Sequence, residues 1–185
     1  MSAVVTGMLL GMNLPPTINP LYGVIGSFVA IGIAKQLFGG IGQNFANPAI
    51  VGRIVLMLSF TASMSTWCKP FYYLNGADVV TGATPLVSKD ADYLSLLLGT
   101  TGGCIGETCA IALIAGGIYL IAARIITPHA PVAFIGTVFL LTLIAGDDPI
   151  YAVLSGGLII GAFFMATDYA TTPLTGKGKI IFGIG

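Results

Sequence analysis

The sequence predicts an all-α fold: a polytopic membrane helix bundle of about five spans, with additional half-helices or re-entrant segments. Three observations carry this. First, only 8% of the 185 residues are charged, against about a quarter in an ordinary soluble domain, and the mean hydropathy is +0.97. Seven basic and seven acidic side chains cannot cover the surface of such a chain, so lipid is the solvent for most of it. Second, apolar runs of spanning or near-spanning length recur along the chain. Third, the 26 glycines suit membrane helices that approach one another closely. Residues 1–185 therefore read as a single integral membrane domain. The net charge of zero and the absence of a basic run argue against a nucleic-acid partner.

Taken in order, the chain opens on "SAVVTGMLLGMNLPP", stopped by Pro15 and Pro16, an apolar piece too short to span. It has no basic n-region, so no cleaved signal peptide is expected. The first span is Leu21 to Leu37. The second is Pro48 to Met64, started by Asn47 as cap and Pro48 in the first turn. A polar stretch at 65–92 follows. The piece "YLSLLLGTTGGCIGE", broken by Gly99, Gly102, Gly103 and Gly106, is again too short to span. Such interrupted pieces read as half-helices whose irregular backbone must be sheltered by protein or by a water-filled cavity. Three further spans are expected, from Glu107 to Ile126, Pro131 to Ala145 and Ile150 to Ala166. An internal repeat is also read here, between Ala3–Gly11 (AVVTGMLLG) and Ala152–Ile160 (AVLSGGLII).

The few charges set an orientation. Lys35 and Arg53 flank the connection between spans one and two, and Arg124 and His129 that between three and four. Lys177 and Lys179 follow span five. The connections holding Asp78, Lys89, Asp90 and Asp92, and Asp147 and Asp148, are rich in acid. Basic residues concentrate on the cytoplasmic side, which puts 65–92 on the outer face.

No nucleophilic triad, phosphate loop or metal cluster is visible. His129 lies between Pro128 and Pro131 at a span boundary. Cys68, Cys104 and Cys109 make no CxxC and read as apolar filler. Glu107 stands apart, as the lone acid beside a span and directly after a glycine-rich break. A carboxylate in lipid is costly, and a helix start reduces the cost; it reads either as a helix-start residue or as the lining of an ion or cofactor path. Arg53 reads as an inner-face anchor that could also clamp an anionic cofactor group. In "DVVTGATPL", Asp78 to Leu86, Pro85 biases Thr84 toward extended backbone and Gly82 loosens what precedes it. The residues alone describe an exposed threonine in a turn.

The run Asp78-x-x-Thr81-Gly82-Ala83-Thr84 resembles the flavinylation motif. Three longer blocks, "NLPPTINPLYGVIGSFVAIGIAKQLFGGIGQNFANPAIVGR", "LGTTGGCIGETCAIALIAGGIYL" and "FFMATDYATTPLTGKGKIIFGIG", resemble the RnfD family of membrane subunits of Rnf complexes. These complexes are ion-translocating ferredoxin:NAD oxidoreductases, and the RnfD family is homologous to NqrB of the sodium-pumping NADH:quinone reductase. The resemblance covers essentially the whole chain. It implies FMN joined to Thr84 through a phosphoester by a flavin transferase. It also implies electron transfer to flavins or iron–sulfur centres on partner subunits and coupling to Na⁺ or H⁺ translocation. Such a chain is one component of a translocase in the cytoplasmic membrane of a bacterium or archaeon, with the FMN loop outside. A second, noncovalent flavin is also implied, on no assigned residues. Family members have Ser more often than Thr at position 81, which keeps the hydroxyl. They are longer than this chain, so a fragment or core of the full subunit is expected.

A second threonine before Pro-Leu, Thr172 in "ATTPLTG", lacks the Gly-Ala pair and falls on the cytoplasmic side in this orientation. Thr84 is therefore the predicted attachment site. The alternatives weighed are a channel or permease for a small polar solute, which suits the interrupted helices, and a structural scaffold in which the loop is a turn.

Overall fold

A computed structural model describes residues 2–40, 42–68, 70, 81–82, 85 and 91–185. The chain is mostly helical, as the composition implies. Helix α1 is Ser2–Met12 and α2 is Pro20–Phe28, started by the Asn19 side chain on the Leu21 amide. It continues as a π-helical stretch over Val29–Gln36. Helix α3 is Pro48–Ser59 with Asn47 as cap, so this start lies where the Asn-Pro pair predicts it. A turn at Phe60 separates α3 from α4, Thr61–Met64. Two short strands, β1 Trp67–Cys68 and β2 Thr81–Gly82, pair antiparallel, Trp67 opposite Gly82 and Cys68 opposite Thr81. Then follow α5 (Tyr93–Leu98), α6 (Ala110–Ala122), α7 (His129–Ala145) and α8 (Pro149–Leu154). The last are α9 (Leu158–Ile160), which runs into a π-helical stretch at Gly161–Met165, and α10 (Gly176–Ile184).

No helix among the described residues is long and apolar enough to cross a membrane by itself. Two of the five expected spans are divided. The one at 48–64 breaks at Phe60, and the one at 150–166 breaks at Ser155, Gly156 and Gly157. The longest α-helix, α7, has 17 residues, about 25 Å at 1.5 Å per residue. The half-helix at the start of the chain is present as α1, and Gly99, at φ +83°, ends α5. The repeat is not a structural one: Ala3–Gly11 lies within one helix, whereas Ala152–Ile160 contains a break with Gly156 at φ +74°. Sequence similarity in a glycine-rich chain does not distinguish these two outcomes.

Two apolar clusters hold the helices together. Leu10, Leu14, Ala30, Ala49, Leu56, Met64 and Met165 form one, against which the stacked Tyr22–Phe60 pair packs. Ala110, Leu113, Ile159 and Ile160 form the other, with Met12 at its border. Outside them the surface stays apolar: Phe28, Leu37, Leu58, Val132 and Ile144 are all more than half exposed.

Candidate functional site

Three interruptions of helix meet around one cavity. The first follows α1, where Asn13 is almost fully buried because Pro15 and Pro16 stop the helix and turn the backbone inward. The second is the excursion between α5 and α6. Its glycines let it reach the first: the Gly106 amide donates to the Met12 carbonyl at 2.7 Å, and the Ile105 amide to the Leu14 carbonyl at 3.1 Å. The third is the α8–α9 break. Backbone groups freed at each break need partners in an apolar interior, and crossing the first two breaks supplies some of them.

Arg53, on the second turn of α3, is the side chain these breaks surround. Its Nη1 donates to Asn13 Oδ1 at 2.8 Å and its Nη2 lies 3.6 Å from Cys104 Sγ. Glu107 faces the same space. It does not start a helix, since α6 begins at Ala110. Instead Oε1 accepts the Cys104 amide at 2.7 Å, a local turn that fixes the carboxylate without a helix dipole. A methyl group at Gly157 would lie 2.9 Å from Glu107 Oε2 and 3.6 Å from Arg53 Nη1, so the third break brings bare backbone between the two charges. A cavity of about 200 Å³ opens here, bordered by Arg53, Glu107, Thr101, Thr108, Trp67 and Pro85. The sequence read Arg53 as an inner-face anchor that could also clamp an anionic group; in the fold its guanidinium meets a polar partner just after α1, Asn13.

Pro85, the residue after the Asp78–Thr84 run, borders this cavity. Thr81 and Gly82 form β2, while Asp78, Ala83 and Thr84 lie outside the described residues. Pro85, which follows Thr84, is buried, and its carbonyl accepts the Tyr151 hydroxyl at 3.0 Å. Tyr151 stands in the first turn of α8 and meets Tyr93 edge to face, centroids 6.3 Å apart. The Tyr93 hydroxyl in turn donates to Asp148, whose other oxygen caps α8 through the amides of Ile150 and Tyr151. The competing threonine, Thr172, lies among the described residues. The Thr172 hydroxyl donates to the carbonyls of Ala166, at 3.1 Å, and Asp168.

The Tyr93–Asp148 contact has a signed pH dependence. The Tyr93 hydroxyl, followed by the Tyr151 amide, holds the Asp148 carboxyl below its ordinary 3.8. The same hydrogen bond raises the Tyr93 hydroxyl above its ordinary 10.0. For the carboxyl, the folded state favours the charged form, so its contribution is present above 3.8 and is lost as pH falls through the depressed value. For the phenol, the folded state favours the neutral form, so its contribution is present below 10.0 and is lost as pH rises through the raised value. Thermal unfolding of detergent-solubilised protein should show both limbs. Tyr93→Phe should remove the alkaline limb and shrink the acid one; unaltered limbs in that variant would count against the contact.

A second polar cavity, of about 400 Å³, lies at the far end of α1 and includes Lys35, Asn44, Asn47, Thr167 and Asp168 in its border. Lys35 is only 5% exposed and donates to the hydroxyls of Ser2 and Thr6. Asn47 donates to the Met165 carbonyl at 3.2 Å. The Asn44 side-chain oxygen, Oδ1, is buried with no hydrogen-bond partner. A buried cation on neutral hydroxyls beside an unsatisfied acceptor is costly and marks a place for a ligand with both donors and acceptors. Lys35 read as a boundary charge in sequence; Asn13, Cys104 and Tyr151 carried no signal beyond proximity to a proline or glycine break.

A sequence profile of the family described as NQR2, RnfD, RnfE matches residues 1–185. The chain is 47% identical over 206 residues to the D subunit of a proton-translocating ferredoxin:NAD(+) oxidoreductase complex of Clostridium ljungdahlii, covering 100% of this chain and 62% of that protein. It is 47% identical over 193 residues to the D subunit of a Na(+)-translocating ferredoxin:NAD(+) oxidoreductase complex of Acetobacterium woodii, covering 100% and 59%. To the D subunit of an ion-translocating oxidoreductase complex of Rhodobacter capsulatus it is 39% identical over 223 residues, covering 100% and 62%. The chain spans about three fifths of the length of these relatives.

Proposed function

The chain belongs to the NQR2, RnfD, RnfE family, and from that premise we propose that it is a membrane electron-transfer subunit carrying FMN on Thr84. The complex it serves couples ferredoxin:NAD oxidoreduction to translocation of Na⁺ or H⁺. Its partners are the other membrane, flavin and iron–sulfur subunits of that complex, and a flavin transferase that esterifies the Thr84 hydroxyl. The protein is a multi-pass component of the cytoplasmic membrane, with the FMN loop on the outer face. The broad apolar exterior supports a lipid setting, and the discontinuous helices suit a transport bundle.

The observation that carries the reading is the motif itself, in a chain matched by the family from end to end. One flank of Thr84 belongs to a strand pair and the other is held through Pro85 by Tyr151. When bound, the flavin supplies one-electron chemistry; the protein supplies its position and electrostatic surroundings. A second, noncovalent flavin would find in the Lys35–Asn44–Asn47 cavity a buried ammonium for a ring acceptor and the unpartnered Asn44 Oδ1 for a ring N–H. Mass spectrometry of the loop peptide, from protein co-expressed with the transferase, tests the attachment: the peptide should carry one FMN phosphoester at Thr84, and an unmodified peptide overturns it.

Glu107 is the proposed ion-path residue, since it is the one acid on the central cavity among the described residues. Glu107→Gln should abolish ion transport while leaving electron flow in the assembled complex measurable. Unchanged transport at normal electron flux would remove Glu107 from the path.

A further inference from the structure

The geometry points to a Na⁺ site at Glu107 in which Arg53 is the built-in competitor: one carboxylate oxygen is taken by the cation in one state and by the guanidinium in the other. This rests on the ion-translocating reading above and gives its path a mechanism. The two oxygens of Glu107 are unequal. Oε1 is committed to the Cys104 amide, while Oε2 lies beside bare Gly157. Thr101 and Thr108, which carry hydroxyls, and Gly102 and Gly103 border the same cavity. Such oxygen groups suit a hard monovalent cation, and unwound backbone at helix breaks is where transport bundles hold one.

Arg53 is placed to displace it. Its guanidinium is held by a neutral amide and a sulfur, which are weaker partners than a carboxylate. Both Nη1 and Oε2 come within 4 Å of the single point where a Gly157 methyl would stand. A rotation of the long side chain closes that gap, and no side chain at 157 obstructs it. The carboxylate has a cationic partner in both states, Na⁺ when loaded and Arg53 when empty; in the loaded state the half-buried guanidinium stays on Asn13 Oδ1 and Cys104 Sγ and the site carries one net positive charge. The device also touches the redox end of the molecule. Helix α8 has Tyr151 on Pro85 at one end and runs into Gly156 and Gly157, on the cavity border, at the other. One six-residue helix therefore links the flavin loop to the cation site.

Equilibrium binding of ²²Na⁺ to the purified, assembled complex tests this, with flavin fluorescence of the denatured protein as a separate readout. Glu107→Gln should lose one Na⁺ per complex. Arg53→Gln, which keeps a donor for Asn13 and removes the charge, should bind Na⁺ about tenfold more tightly, and Arg53→Lys should stay near wild type. Asn13→Ser frees the guanidinium to reach Glu107 and should weaken Na⁺ binding severalfold, which keeps the test decisive if Arg53→Gln fails to assemble. Full Na⁺ stoichiometry in Glu107→Gln overturns the site. Wild-type or weaker binding in Arg53→Gln, or unchanged binding in Asn13→Ser, overturns the competition. A dark wild-type band with these Na⁺ responses intact would strike the flavin assignment and spare the cation site.

Discussion

Thr84→Ala is expected to extinguish the ultraviolet fluorescence of this protein on a denaturing gel, while the wild-type band, made with the transferase, glows. Denaturation removes every noncovalent flavin, so the band reports the ester bond alone. The change is all or none because alanine has no oxygen to carry the phosphoester. Thr84→Ser should restore fluorescence, since a primary hydroxyl in the same backbone offers the same nucleophile. Thr172→Ala should leave the band unchanged, because that hydroxyl is already committed to the carbonyls of Ala166 and Asp168. Persistent fluorescence in Thr84→Ala would move the attachment elsewhere. Electron flow through the complex should fall with the fluorescence; the noncovalent site should keep its occupant, measured as flavin released on denaturation.

The second large effect is structural. Gly106→Val should prevent stable assembly. A Cβ at this position would lie 2.5 Å from Met12 Cβ and 3.0 Å from the Met12 carbonyl oxygen, with the Gly106 amide bonded to that same carbonyl. Backbone cannot yield there without breaking the crossing of the two helix interruptions. Overpacking of this kind costs about 3 kcal/mol, and losing the buried amide–carbonyl bond adds about 1 kcal/mol or more. The expected readout is a fall in thermal stability of the purified protein by about 8 to 16 degrees, in line with what such energies produce in a domain near this size. Gly7→Ala serves as the control, since nothing lies within 4 Å of a Cβ there. A normal melting temperature for Gly106→Val would mean that the two breaks do not cross at this glycine.

Much of this was legible in one dimension. Hydropathy fixed the helical class, because backbone in an apolar setting has few ways to satisfy its own hydrogen bonds. Pro48 after Asn47 marked the start of α3, and Pro15 with Pro16 marked the end of α1, since proline's ring and missing N–H act on their immediate neighbours. The glycine run from Gly99 to Gly106 marked a break. These are local effects, carried by residues adjacent in the chain. The motif at Asp78–Thr84 was likewise a matter of local pattern, and its meaning came from resemblance.

The partners of the charges could not be read that way. Arg53 and Lys35 looked alike in sequence, as basic residues at the edges of apolar runs. The fold separates them: the first segment presents Asn13 to one and two hydroxyls to the other, 40 and 29 to 33 residues away in the chain. Glu107 read either as a helix start or as the lining of an ion or cofactor path, and folding made it a turn carboxylate beside Gly157. The physical reason is range. Propensity, capping and turn chemistry act over a few residues and are written in the sequence. The environment of a buried charge is set by which helix breaks come together, and that is decided only when the whole chain packs.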